Sequence, residues 1–161
     1  MFTPEGIHKL HHWTHESLTL LLEHLSTLPP DACAKELPSF GFNTIHKQMI
    51  HIFNCEGFWI SILQGSDYAD RDPADFPTIS DVVGFQQETS LRTHQYLSTL
   101  TDEQLNTEAE LHFPDGDRAV RTPALILHHM LTHAFHHKGQ IVAMCRELGH
   151  PAPDTDLNQF S

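Results

Sequence analysis

Three histidines spaced four residues apart, His129, His133 and His137, form a ladder in the segment 122–149. In a helix, residues i and i+4 stand one above the other, so an adjacent pair of such rings can be offered to one metal ion. Positions 126, 130, 133, 137, 141, 144 and 148 advance by three or four and read Ile, Met, His, His, Ile, Met, Leu. Each buried ring nitrogen in that apolar seam needs a partner, and a metal ion supplies one partner for both. His129 with His133 is the alternative pair, and hydrogen-bonded core histidines are the bland reading. The third ligand must come from another helix, and His51, on an apolar side of residues 43–64 with Cys55, Phe58 and Ile62, is the best placed. Three neutral nitrogens suit zinc, nickel, copper or iron and leave at least one position for water or substrate. Ligating imidazoles must be neutral, so metal affinity is expected to fall as pH drops through about 6.5.

Other metal and nucleotide patterns fit worse. His15-Glu16 begins a HExxH motif, but position 19 is Thr. A di-iron carboxylate bundle needs Glu-x-x-His on two helices, and only Glu5-Gly6-Ile7-His8 appears. There is no GxSxG, P-loop or Rossmann glycine pattern.

The elements that must position these side chains read as helices. Thr3-Pro4-Glu5 is a helix start, followed by apolar residues from Ile7 to Leu28 at helical spacing and stopped by Pro29-Pro30. Residues 31–42 read as a loop, after which Asn43 can cap a second helix to about Gln64. Its Ile45, Met49, Ile52, Trp59 and Leu63 make one stripe, and His51 lies on the stripe beside it. Thr78 to Asp81 offer caps for a third helix through about Leu100, and Thr101-Asp102-Glu103-Gln104 looks like a capping box for one extra turn. The stretch 108–121, with Pro114-Asp115-Gly116-Asp117, reads as a turn or small hairpin. Thr122-Pro123 opens the last helix, and Gly149 with Pro151 closes it. This is an all-α chain, an up-down four-helix bundle with a short irregular or hairpin segment before the last helix.

At 161 residues the chain fits one domain, 1–161, that can bury enough surface to need no disulfide or structural metal. Against 21 acidic residues stand 9 basic ones, a net charge of -12, with no Lys or Arg run. Nucleic acid and anionic membranes, which are bound through clustered positive charge, are therefore not expected partners. Cys33, Cys55 and Cys145 are too few and too scattered for a disulfide framework, the N-terminus lacks a signal-peptide layout, and no apolar run approaches a bilayer span. A cytoplasmic protein is expected.

The run His133-Ala-Phe-His136-His137-Lys138-Gly139-Gln140-Ile141 resembles the closing motif of the DinB-like family of metal-binding four-helix proteins, H-x-x-H-H-[RK]-G-Q-[IL]. His129 before it, Leu148-Gly149 and Pro151 after it, and Met49-Ile50-His51-Ile52 with Glu56 and Trp59 extend the likeness over nearly the whole chain. The resemblance implies a bundle that is often a homodimer and a site for one divalent ion, zinc or nickel, with the family's three histidines falling on His51, His133 and His137. Characterised members of the wider superfamily include thiol-dependent transferases and isomerases. The expectation is a metal-dependent enzyme, a hydrolase or thiol S-transferase, that activates water or a low-molecular-weight thiol against a small molecule. The rival expectation is a non-catalytic metal- or small-ligand-binding stress-response protein, favoured if a fourth protein ligand seals the site.

Neighbouring residues carry supporting expectations. Gln140 can point toward the site and hydrogen-bond a ligand, water or substrate. Glu56 is either an acceptor for a ligand's imidazole N–H or an ordinary polar contact. Cys55, one turn after His51, is a fourth ligand, a redox switch or, as the simpler reading, a small buried hydrophobe. Gly139 can let another helix approach. His128 and His136 face outward or sideways.

Overall fold

The computed structural model describes residues 1–29 and 31–160. Every long helix begins at a threonine whose hydroxyl accepts an otherwise unpaired backbone N–H. Helix α1 (Pro4–Ser26) is capped by Thr3 with proline at its first position. Helix α2 (Ile45–Gln64) is capped by Thr44, which accepts from the Lys47 amide, and not by Asn43. The Asn43 carbonyl instead receives the Leu37 amide at 2.7 Å, and its side chain takes the Lys47 ammonium, so Asn43 closes the preceding loop. Gly65 ends α2 in the left-handed conformation (φ 63°), the usual role of glycine there. Helix α3 (Ile79–Leu97) has a full capping box of Thr78 and Asp81 and stops short of the expected Leu100. Helix α4 (Asp102–Asn106) has a second capping box, Thr101 with Gln104. Strands β1 (Ala109–His112) and β2 (Arg118–Arg121) form an antiparallel hairpin in register Ala109↔Arg121 to His112↔Arg118. Helix α5 (Pro123–Glu147) is capped by Thr122. Pro29 lies beyond the end of α1, and Pro30, the other half of the expected stop, is outside the described residues.

Helix α2 packs on both α3 and α5, while α1 packs on α3 and α5. Its central place explains why α2 buries more than the two expected stripes: Ile45, Met49 and Ile52 are inaccessible, and so are Ile50, Phe53 and Ile60, which lie outside both. Trp59 and Leu63 are only half-buried. One core cluster joins Leu18, Leu21, Leu22 and Leu25 of α1 to Met49 and Phe53 of α2, Val82 and Phe85 of α3, and Ile141 and Met144 of α5. A second, at the other end, joins Ile7, Ile60, Leu97, Leu105, Leu127 and Met130. At about 1.5–3 kcal/mol for each large buried apolar side chain, these contacts are what drive the bundle together. No helix among the described residues is long and apolar enough to cross a membrane.

The close approach expected at Gly139 is found instead at Gly57. A Cβ on Gly139 would meet nothing within 4 Å, whereas one on Gly57 would lie 2.6 Å from the Tyr68 ring. That ring is fixed there by its hydroxyl, which donates to Asn54 Oδ1 at 3.0 Å. Lys138 is buried, and its ammonium donates to the Ser17 hydroxyl at 3.0 Å and the Thr155 carbonyl at 2.7 Å. It thereby pins the segment after α5 across α1, with His24 holding the His150 carbonyl at 3.1 Å. Replacing Lys138 with Met keeps the stem's packing but removes both bonds. The Ser17 hydroxyl still donates to the Thr155 carbonyl at 2.7 Å, but hydrogen bonds from a charged donor are worth about 1.5–3 kcal/mol, so a fall of several degrees in melting temperature and faster proteolysis of residues 150–160 are expected. Unchanged melting and protection would show that the tail is held by other contacts.

Candidate metal centre

His133 and His137, one turn apart on α5, and His51 from α2 turn the same nitrogen toward one another. His133 Nε2 lies 3.2 Å from His51 Nε2 and 3.1 Å from His137 Nε2. The edge of a tetrahedron of ligands about 2.0 Å from a zinc ion is about 3.3 Å, so these donors are spaced to fit one ion. The rings meet at steep angles, 65° between His51 and His133 and 76° between His51 and His137, and are not stacked face to face.

The tautomer of His137 is set by its surroundings. Its Nδ1–H donates to Gln48 Oε1. The Gln48 amide can point no other way, because its Nε2 donates to two acceptors, the Phe42 carbonyl at 3.1 Å and Gln140 Oε1 at 2.6 Å. With the proton on Nδ1, the lone pair of His137 is on Nε2, facing the other two rings. The Phe42 ring stacks on His51 at 4.0 Å between centroids and meets His137 edge-on at 5.9 Å. Burial lowers all three imidazoles. His133 and His137 are pushed down to about 4, by burial first and then by neighbouring histidines, while for His51 the charge of Asp70 partly opposes burial. The rings are therefore held neutral, as ligands must be, and protons compete for them at lower pH than the 6.5 expected for ordinary imidazoles.

The other sequence candidates separate clearly. His129 is exposed, edge-on to Trp59 at 5.4 Å, and outside the converging group, so the structure pairs His133 with His137. Gln140 does not reach the converging nitrogens. It braces Gln48 and takes His136 Nε2 as acceptor at 2.8 Å, acting on His137 through another side chain. Cys55 is half-buried and outside the group, and burial pushes its thiol up to about 12, which keeps it protonated and a poor ligand or redox switch. Glu56 does accept from imidazoles, but from His11 and His15 of α1 and not from the three converging rings. His128 and His136 are exposed. A cleft of about 720 Å³ near the start of α2, lined by Leu25, Cys33, His46 and Ile79, involves none of these histidines.

Two features were missed in the sequence. Gln48 is a fully buried amide one turn before His51, and its helical spacing from Ile45 and Ile52, on the apolar side of α2, was the available signal. His11 and His15 have the same i, i+4 spacing as His133 and His137, a signal masked by the incomplete HExxH motif that begins at His15.

A model of the DinB family matches residues 1–161. The DinB protein of Bacillus subtilis strain 168 is 24% identical over 146 residues, 87% of this chain and 84% of its own. The uncharacterized protein YizA of the same organism is 28% identical over 108 residues, 67% of each chain. Among solved structures, a DinB-like protein from Bacillus cereus superposes with a TM-score of 0.72 at 21% identity, over 96% of this chain and 99% of that one. A conserved protein from Enterococcus faecalis superposes with a TM-score of 0.66 at 17% identity, over 92% and 97%. At these identities the two structures establish a shared bundle fold, and the match along the full sequence establishes descent: the chain belongs to the DinB family.

Proposed function

We propose that this protein is a divalent-metal-dependent enzyme whose ion, zinc or nickel, is held by His51, His133 and His137. The observation that carries the reading is that His133 Nε2 lies 3.1–3.2 Å from the Nε2 atoms of His51 and His137, with one donor atom from each of the three rings within 4.8 Å of the others. When bound, such an ion lowers the pKa of a water or thiol toward neutrality and so supplies a nucleophile. The chain's own residues orient the ligands: Gln48 fixes the His137 tautomer, Gln140 fixes Gln48, and the Phe42 ring covers one face of His51. Hydrolysis, or transfer of a low-molecular-weight thiol to an electrophilic small molecule, is the reaction class. The acidic surface favours a small-molecule partner over nucleic acid or an anionic membrane, and a cytoplasmic homodimer is the setting proposed.

The rival, a protein that merely holds an ion or small ligand, calls for a fourth protein ligand sealing the site. Three residues make up the converging group among the described residues, with Cys55 protonated and Glu56 engaged elsewhere. That donor set leaves room for water or substrate and favours catalysis.

Elemental analysis of untagged protein should find a zinc or nickel content that falls by one equivalent in His51→Ala, His133→Ala and His137→Ala and is unchanged in His129→Ala. Retention in all four variants would sink the assignment. Loaded protein should then be screened against thiols and hydrolysable small molecules, and a metal spectrum indifferent to all of them would favour the holding role.

Gln48→Ala frees the His137 ring to turn. Loss of such an outer partner costs about 10–100-fold in metal affinity, measurable by competition with a chromophoric chelator, and an unchanged affinity would show that packing alone orients His137.

Between about pH 6.5, where the unfolded chain's imidazoles protonate, and about 4, where folded His133 and His137 do, the unfolded state binds more protons. Stability of chelator-treated protein is therefore present above 6.5 and falls as pH drops toward 4. Thermal melts across that window test this, and the decline should shrink in His133→Ala/His137→Ala. An undiminished slope would assign it to other groups.

A further inference from the structure

The bundle contains a second set of metal-competent side chains. Helix α1 carries His11 and His15 at i and i+4, as α5 carries His133 and His137, and in each case the third group comes from α2. His11, His15 and Glu56 are 0%, 7% and 5% exposed, and one donor atom from each lies within 4.8 Å of the others. His11 Nε2 is 2.7 Å from Glu56 Oε1, and His15 Nε2 is 2.9 Å from Oε2. Those are hydrogen-bond lengths, but cis ligands about 2.1 Å from an ion are also only about 3.0 Å apart when they subtend a right angle. A proton and a metal ion therefore compete for the same place, and little movement separates the two states.

The surroundings are those of oriented ligands. Thr93 Oγ1 donates to Glu56 Oε1 at 2.6 Å, and His11 Nδ1 meets His94 Nε2 at 3.0 Å. When His11 carries its proton on Nδ1 and donates it to His94, its Nε2 lone pair faces Glu56, the arrangement that outer partners enforce at metal sites. His15 Nδ1 is buried without a partner, so His15 is the least firmly oriented of the three. His94 is half-buried, and its ring lies 4.1 Å from that of exposed His8, which leads from the cluster to solvent.

We propose that His11, His15 and Glu56 form a second divalent-cation site, of two imidazoles and one carboxylate, buried between α1 and α2 and apart from α5's ligands. The carboxylate makes it harder than the all-nitrogen centre and open to manganese and iron(II) as well as zinc. The ion offsets the buried charge of Glu56 and joins α1 to α2. The site does not depend on the three-histidine reading.

The test begins with a His51→Ala/His133→Ala/His137→Ala protein, stripped with chelator, titrated with zinc and with manganese(II), and checked for folding by circular dichroism. One equivalent is expected to bind, with zinc raising the melting temperature and manganese giving the broadened resonance of a protein-bound ion. Adding Glu56→Gln, or His11→Gln if the first does not fold, should abolish it, and the protein with all histidines intact should take up two equivalents. No binding by the triple variant overturns the proposal and leaves the cluster a hydrogen-bonded clamp, whatever becomes of the other centre. Binding that survives both Glu56→Gln and His11→Gln overturns it equally, by placing the ligands elsewhere.

Discussion

A carboxylate with almost no contact with water must have its oxygens engaged by donors, or the helix that bears it cannot be buried. Glu56 meets this condition with His11 and His15 of α1 and Thr93 of α3. Burial alone would raise its pKa, yet the two imidazoles more than offset this and hold the carboxyl well below its usual range. The bonds are directional, so they set the rotation of α2 about its axis and its height against both neighbours. That rotation is what turns His51, five residues earlier, toward α5. Apolar contacts decide that the helices associate, and Glu56 decides how α2 is seated among them.

On the other face of α2 the same logic operates with neutral groups. Gln48 is wholly buried and spends its amide on His137, Gln140 and the Phe42 carbonyl. The side chain therefore does three things at once: it orients one imidazole of α5, locks a second α5 residue, and ties down the loop whose Phe42 ring covers His51. In the shared closing motif, Gln140 is thus a brace, His133 and His137 are the converging donors, and Lys138 anchors the tail across α1. Residues adjacent in the motif act in three directions because successive positions on a helix point about 100° apart.

Neutral imidazoles packed together are costly to protonate, and this links the stability of the fold to the chemistry of the site. Burial and mutual proximity bring His133 and His137 to about 4, which keeps both rings neutral over the whole physiological range, and burial lowers His51 in the same direction. The same crowding means that some electrophilic partner between the rings, a proton or a metal ion, relieves the meeting of lone pairs.

The caps and the histidine pairs were legible in the sequence because both depend on residues three or four apart. Thr3, Thr78, Thr101 and Thr122 cap where read, since each bond reaches only to the third residue on. Asn43 was misread for Thr44 because two adjacent residues can cap equally well, and a distant carbonyl–amide bond to Leu37 claimed the first. His133 and His137 could be paired from spacing, though the ladder allowed His129 with equal right until the packing of α2 excluded it. His51 could be proposed from its face, and from the likeness of the surrounding motif to a known family. The partners of Glu56, 45 and 41 residues away, and of Gln48, 89 residues from His137, could not be read. By itself, then, the sequence determined where helices start and stop and which histidines share a face, because these are consequences of local backbone geometry. Which groups meet across helices, and therefore which tautomers and charges the site carries, was decided by tertiary packing, because it depends on the rotation and register of α2 between its neighbours.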